Sequence, residues 1–494
     1  MSVIRQAARQ WNKNTIALAA ILVVAAALRF FALGAESLWF DEAYSVWVAR
    51  HSVGWHIALS MQRIFPPLYY LCLHFWLRLG SSEFVVRALS VLIGLGSIVA
   101  AYALAKELFD QTTAWVSALL LAVSPLHLWY SQEARMYILV AALGLCSAYF
   151  MLRAIRSGTA GQWAAYVVST ALLMNAHYFA VFLVPFQNAY VLYLWLRQRV
   201  GWPLMRRWLV SQVVVGLLSV VGLAGIFSSE SSYWWGLLDT WHGAPGMAEL
   251  LNLWFSFSLG TTVRGALIYW SGLLLFGLCL ASSWLRVKRG RLSLALDDGL
   301  VFITLYLVVP LGTVFLLSQF QSFWVLRYIF PFLPAYGILV ARGVTRWPHR
   351  AVQALLLAAI VLLSLWPIAN TYRYEQKENW RAAVAYIQAQ EEPGDVIILV
   401  DEDIWLPFEH YYRGETRRVG ISRVVSDREL IAARVGTLLP SHERIWLVLS
   451  HTDNYASKDY LATSRFTEAL SERQFTKVEV DLFAVRPQEV DAGG

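Results

Sequence analysis

Long apolar runs separated by short polar stretches fill roughly the first 370 residues, and the pattern changes over the last 120 or so. A helix that crosses a membrane needs about 20 apolar residues. Eleven runs meet that need, at about 15–34, 85–105, 112–131, 137–153, 162–176, 179–196, 208–228, 265–285, 299–318, 328–342 and 351–370. The stretches 208–229, 265–285 and 351–372 carry no charged residue. Apart from His177, neither does 158–196, and its 39 residues are too many for one crossing. A hairpin is therefore expected at Asn175-Ala176-His177-Tyr178. Between the first two runs, segment 35–84 is rich in Trp39, Trp47, Trp55, Tyr69, Tyr70 and Trp76. Such rings bridge water and lipid, which predicts helices lying flat at the interface. Segment 228–262 repeats the theme with Trp234, Trp235, Trp241 and Trp254. Beyond 370, apolar runs shorten to strand length at 396–400 and 446–449, with helical patterns at 427–435 and 458–470. Strand and helix in alternation predict a small α/β domain. The expected architecture is an α-helical polytopic membrane protein with about 11 transmembrane helices over 1–370, followed by an α/β domain over 371–494.

Composition agrees and narrows the class. The chain is 58% hydrophobic and 15% charged, against roughly 25% charged residues in ordinary soluble domains. Its mean hydropathy of +0.51 excludes a water-soluble globule. A net charge of +7 could suggest nucleic acid, but the basic residues sit in short clusters between apolar runs, as topology signals do, so no nucleic-acid partner is expected. Cys72, Cys146 and Cys279 lie in apolar context and indicate neither a disulfide framework nor a metal site. Basic residues precede the first apolar run, but no small-residue cleavage site follows, so that run is read as a retained span.

With the N-terminus inside, the cytoplasmic segments hold seventeen basic residues. These are Arg5, Arg9 and Lys13; Lys106; Arg153 and Arg156; Arg197, Arg199, Arg206 and Arg207; Arg286, Lys288, Arg289 and Arg291; and Arg342, Arg346 and Arg350. The outer segments hold eight: Arg29, Arg50, Arg63, Arg78, Arg87, Arg135, Arg264 and Arg327. The bias obeys the positive-inside rule. Eleven spans then put the α/β domain outside.

The residues able to do chemistry collect on that outer side. Asp41 and Glu42 follow the first span, and adjacent carboxylates beside a membrane are costly unless used or paired. One could act as general base on a hydroxyl; the pair would equally suit a helix N-terminus. Glu133 and Arg135 fall at the turn between the third and fourth spans, just before Tyr137. Arginine binds phosphate bidentately, so Arg135 suits a lipid phosphate, although a local Glu–Arg pair could simply close the turn. Arg327-Tyr328 begins the tenth span, where Pro331 and Pro334 break the helix as in spans that line a cavity; interfacial snorkelling is the plainer account. His177 with Tyr178 sits at the outer hairpin, and His56, His74 and His127 lie on or near the same side. No fixed spacing supports a metal ligand set, so no metal residue is assigned, although a divalent metal stays open. Pro66-Pro67-Leu68-Tyr69-Tyr70 most simply starts a helix. No glycine-rich phosphate loop is present.

In this order, these motifs resemble glycosyltransferase family 39, the protein O-mannosyltransferase-like group that includes aminoarabinose transferases and has the GT-C fold. The likeness covers about 1–370. It rests on Leu38-Trp39-Phe40-Asp41-Glu42-Ala43, Pro66-Pro67-Leu68-Tyr69-Tyr70, Ser124-Pro125, Tyr130-Ser131-Gln132-Glu133-Ala134-Arg135-Met136-Tyr137, His177-Tyr178-Phe179 and Arg327-Tyr328. Glu378-Asn379-Trp380-Arg381 looks like the start of the outer domain of such proteins. The resemblance implies an inverting transfer of a sugar from a polyprenyl-phosphate donor to a hydroxyl of a glycan, lipid or protein. It implies a plasma (inner) membrane location, with the site and the tail extracytoplasmic. Asp41 becomes the expected base and Glu42 its support; Arg135 and Arg327 hold the donor phosphate; Glu133, Tyr137, His177, Tyr328 and Tyr69 are supporting. Many relatives place a His or a charged residue just before the Pro-Pro pair, where this chain has Ile64 and Phe65. A transporter or flippase of a lipid-linked substrate would share the arginines but has no obvious need of the paired carboxylates.

Overall fold

The structure, a computed structural model, describes residues 2–62, 66–227, 243–263, 265–288, 291–294, 297–321, 323–400, 404–421, 428–450 and 456–486. Arg63, Ile64, Phe65, Trp234, Trp235, Trp241, Arg264 and Arg289 lie outside the described residues. The chain forms two compact units. The first comprises 1–33, 49–81 and 85–373, and the second 34–48, 82–84 and 374–494.

The first unit is helical. Among the described residues, eight helices are long and apolar enough to cross a membrane, and two bent pairs raise the number to ten. The eleven runs expected from sequence all fall on helices, but three are not simple spans. Run 112–131 is Gln111–Ala122 followed by Pro125–Ser131 at a 63° bend, and run 208–228 bends by 67° within 202–227. Run 162–176 is the 15-residue helix Ala160–Met174, which packs on Tyr137–Ser157. The first bend has a visible cause. Ser124 caps the new helix by accepting the His127 amide, and Pro125 occupies its first turn, where its missing N–H is harmless.

Large aliphatic residues stay exposed on these helices, among them Val23, Leu217, Leu274, Leu355 and Leu362. A helix that is apolar all round belongs in lipid. Leu326–Thr345 is the exception, with 83% of its 18-residue apolar window buried against 11% for Lys13–Phe30, and so lies at the centre of the unit. Gly343 allows the Ala266–Trp284 helix to approach it closely, because a Cβ there would run into the Cys279 carbonyl.

The two ends of the unit differ. At one end Glu107 pairs with Arg156 at 2.7 Å, Arg342 reaches Asp110 at 3.1 Å and Asp297 at 3.7 Å, and Arg207 donates to the Gly158 carbonyl. These are the positions that the charge rule put on one side. Three of the eight arginines counted on the opposite side are not surface charges. Arg29, Arg87 and Arg135 are buried, and Arg87 donates to the Leu33 carbonyl at 3.0 Å. The loop carrying Arg286 and Lys288 is an antiparallel hairpin, with β1 (Leu285–Lys288) paired to β2 (Arg291–Leu294).

The second unit holds a five-stranded sheet of β3 (Asp395–Val400), β4 (Arg417–Ile421), β5 (Arg444–Leu449), β6 (Thr467–Phe475) and β7 (Val478–Val485), in the order β4-β3-β5-β7-β6. β3 runs parallel to β4 and β5; β7 runs antiparallel to β5 and β6. Alternation along β3 feeds two cores, as expected for a sheet covered on both faces. Ile397 and Leu399 pack with Trp380, Val384 and Phe408, while Val396 and Ile398 pack with Ile431, Val435 and Leu461. The α/β tail is thus as expected, with two differences. Stretch 458–470 is helical only to Thr463, and β6 begins at Thr467. The second unit also incorporates segment 34–48, which the sequence placed with the membrane part. That segment is tied down locally: Ser37 Oγ donates to the Glu378 carbonyl at 2.6 Å, the Leu38 amide donates to Tyr411 Oη at 2.6 Å, and the Gln376 amide donates to Glu36 at 2.6 Å.

Candidate active site

The residues singled out from sequence fall into two groups, one in each unit. In the second unit, Asp41 and Glu42 open the helix Phe40–Ala49, where negative charge suits the helix dipole. The Phe40 amide donates to the Glu378 carboxylate at 3.3 Å, and Ser45 Oγ donates to the Asp41 carbonyl at 2.9 Å. The two acids differ in burial. Glu42 has no exposed surface and lies 3.0 Å from Lys377 Nζ; Asp41 is half-buried. Lys377 was missed in the sequence, since a single lysine after the last span reads as a topology charge. A buried carboxylate needs such a partner. Glu378 anchors both Ser37 and Phe40, which ties the tail's first residues to the start of this helix.

In the first unit, the turn after Pro125–Ser131 carries Glu133 and Arg135, both buried. The Arg135 amide donates to the Glu133 carbonyl at 2.8 Å, which tightens the turn. The Arg135 guanidinium lies 5.8 Å from the Tyr137 ring centre and donates through Nη1 to Tyr70 Oη at 3.4 Å. From Tyr137 the aromatic contacts run on. Its ring is 5.9 Å from His177 and 6.3 Å from Tyr328, and His177 is 5.4 Å from Tyr328. Tyr328 stacks on Phe179 at 4.6 Å, and Arg327 precedes it in the short helix Leu326–Ile329. The structure therefore brings Arg135, Tyr137, His177 and Tyr328 together, with Arg327 next in sequence.

His177 Nδ1 accepts the Phe179 amide at 3.1 Å and so caps the turn that follows. Burial, helped by the positive charge of Arg135, pushes its pKa down to about 3, so the ring is neutral at physiological pH. Tyr69 stands apart from this group. Its ring is fully buried and its hydroxyl pairs with Ser90 Oγ at 2.9 Å. Its neighbour Tyr70 is the one that meets Arg135. Helical spacing alone does not decide between adjacent tyrosines, because which one faces the arginine depends on how Leu68–Trp76 is rotated. That rotation is fixed partly by the Leu68 amide donating to the Asn175 carbonyl at 3.0 Å.

Among the described residues, one group of acids is close enough to share a cation: Glu472, Glu479 and Asp481 in the α/β domain. The ammonium of Lys458 lies among them, 3.1 Å from Glu472 and 3.2 Å from Asp481, and bonded to Glu479. The group is thus an ion-pair network on β6 and β7, distinct from Asp41.

Bent and unbroken spans in one unit, and a small α/β domain that includes the acidic helix in the other, define a polytopic membrane protein, and its structural relatives give it the GT-C fold. Residues 65–227, which carry Tyr70, Arg135 and His177, match the family model described as dolichyl-phosphate-mannose-protein mannosyltransferase. The fold is similar to that of ArnT from Cupriavidus metallidurans in the apo state, with a TM-score of 0.63 and 16% identity over 96% of this chain and 98% of that one. The same protein bound to undecaprenyl phosphate gives 0.60 and 16% over 94% and 97%. The archaeal oligosaccharyltransferase AglB from Archaeoglobus fulgidus, in complex with an inhibitory peptide and a dolichol-phosphate, gives 0.57 and 11% over 98% of this chain and 75% of that one. No curated protein matches the chain by sequence.

Proposed function

We propose that this protein transfers a sugar from a polyprenyl-phosphate donor to an acceptor hydroxyl, with Asp41 as the base. The acceptor oxygen attacks the anomeric carbon while the bond from that carbon to the phosphate oxygen breaks. Asp41 takes the hydroxyl proton, and the polyprenyl phosphate leaves with the bonding electrons. Arg135 and Arg327 offset the charge that grows on the leaving phosphate. Glu42, committed to Lys377, supports the helix start that presents Asp41.

The observation that carries this reading is the Arg135–Tyr137–His177–Tyr328 group, of which Arg135, Tyr137 and His177 lie in the segment that matches the mannosyltransferase family model. Arg135 is buried beside the neutral His177, and the planar fork of a guanidinium matches the oxygens of a phosphate. The solved relatives bound to undecaprenyl phosphate and dolichol-phosphate support a lipid phosphate as that anion. Removing the three buried arginines from the outer tally leaves five outer basic residues against seventeen, which favours an extracytoplasmic site. The acceptor, whether glycan, lipid or protein, and the sugar are left to the test.

Asp41→Asn should abolish turnover of a labelled polyprenyl-phosphate sugar, a loss of about 100-fold or more, while the melting temperature stays that of the wild type. Equal turnover would overturn the assignment. Mass spectrometry of glycans and glycolipids from cells with and without the gene identifies the product.

A further inference from the structure

Arg29 sits at the end of the first span with no exposed surface. A charged side chain at such a depth is costly and needs partners. Its guanidinium donates to the carbonyls of Ala25 at 3.2 Å, Ala122 at 2.9 Å and Leu121 at 3.0 Å. It also donates to Ser131 Oγ at 3.2 Å and to His127 Nδ1 at 2.8 Å. The Leu121 carbonyl is the one whose normal helical partner would be the amide of residue 125, and proline has none. Arg29 therefore supplies donors where Pro125 breaks the span.

Guanidinium groups only donate, so the proton positions follow. His127 Nδ1 accepts, its Nε2 carries the hydrogen and donates to Ser97 Oγ at 2.8 Å, and Ser97 donates to the Gly94 carbonyl at 2.7 Å. Ser131 accepts from Arg29 and donates to the His127 carbonyl at 2.6 Å. The main chain of Arg29 adds a second tie: its carbonyl accepts Gln132 Nε2 at 2.9 Å. Ser131 and Gln132 are the two residues that lead directly into Glu133-Ala134-Arg135. Gly94 completes the fit, because a Cβ there would collide with Ser131 Oγ.

We propose that Arg29 is a positioning residue: with His127 and Ser131 it fixes the stem of the Glu133–Arg135 turn, and so sets where Arg135 meets an anionic phosphate. This rests on the reading of Arg135 as the phosphate-binding arginine. Lysine at 29 keeps the charge but cannot serve five acceptors, and alanine at 94 displaces Ser131 while leaving every charge in place.

The test uses the full-length protein in detergent with undecaprenyl phosphate as the probe. Arg29→Lys and Gly94→Ala should each weaken binding about tenfold, equivalent to about 1.4 kcal/mol, and speed amide exchange in peptides covering 131–137. Neither should weaken binding further in an Arg135→Ala background, because the coupling runs through Arg135. Full additivity in that background would overturn the proposal, and so would wild-type binding and exchange in both variants. If Arg135→Ala itself binds as wild type, the reading of Arg135 falls instead. Exchange at 131–137 that then stays at the wild-type rate in Arg29→Lys and Gly94→Ala would refute the positioning role on its own account.

Discussion

Glu42 and Lys377 form an ion pair at 3.0 Å in which the carboxylate is wholly buried and the lysine side chain is 10% exposed. The pair divides the labour between two adjacent acids. Removing one partner of a buried pair strands the other, which typically costs about 3–5 kcal/mol. Glu42→Gln should therefore lower the melting temperature of the detergent-solubilised protein, and Glu42→Gln with Lys377→Met should recover part of the loss. An unchanged melting temperature in the single variant would show that the pair adds nothing to stability.

Arg135 should respond to shape as well as charge. Arg135→Ala should raise the KM for the lipid-linked donor by at least about tenfold, since a charge-assisted contact is worth about 1.5–3 kcal/mol. Arg135→Lys should recover little, because lysine lacks the planar fork. Tyr70→Phe, which removes only the acceptor 3.4 Å from Nη1, should change the KM by less than about threefold, as expected for a long hydrogen bond. Steady-state kinetics over a donor series separates the three; equal KM values for wild type and Arg135→Ala would remove Arg135 from the donor site.

Sequence patterning located the helices well, for reasons that also explain its errors. Apolar runs of 15–21 residues mark membrane helices because lipid demands them, so every expected run fell on helix. Bends were invisible to hydropathy, although Ser124-Pro125 carried the signal in its capping chemistry. Arg29 and Arg87 were counted as topology charges because burial leaves no trace in a charge count. Strand β6 was missed because it is an edge strand: Glu468, Glu472 and Arg473 are exposed, and such a pattern reads as helix or loop. The recruitment of 34–48 into the tail unit depends on contacts more than 300 residues apart, such as Ser37 with Glu378, which no local pattern encodes.

Asp395 should act as the acid-sensitive anchor of the α/β domain. Burial alone would raise its pKa, but hydrogen bonds from Arg444, the Glu392 amide and Trp446 bring it below the ordinary value. A depressed carboxylate contributes stability that is present above its unfolded pKa, near 4, and is lost as pH falls through the folded value. Asp395→Asn should destabilise the domain by about 2 kcal/mol at pH 7, in line with loss of charged hydrogen bonds, and the difference should shrink below pH 3. Hydrogen exchange along β3 and β5 at the two pH values checks it; a pH-independent difference would contradict the assignment.

Asp481 should show the opposite sign. It faces Glu472 across the β6–β7 ladder and shares one side of β7 with Glu479, with Lys458 the cation among them. Burial, then the charge of Glu479, raises its pKa from 3.8 to about 6 despite Lys458. A raised pKa means that the folded domain takes up a proton more readily than the unfolded chain. Its stabilising effect is complete below the unfolded value near 4 and is lost as pH climbs towards 6. At pH 7.5 the ionised carboxylate is therefore a burden. At about 1.4 kcal/mol per pKa unit, reduced for solvent screening and for loss of the Lys458 contact, Asp481→Asn should stabilise the domain by about 1–2 kcal/mol at pH 7.5 and by almost nothing at about pH 3. Slower amide exchange along β6 and β7 at pH 7.5, converging with wild type at about pH 3, is the expected result. A variant less stable than wild type at pH 7.5 would mean that the Lys458 ion pair outweighs the repulsion between the acids.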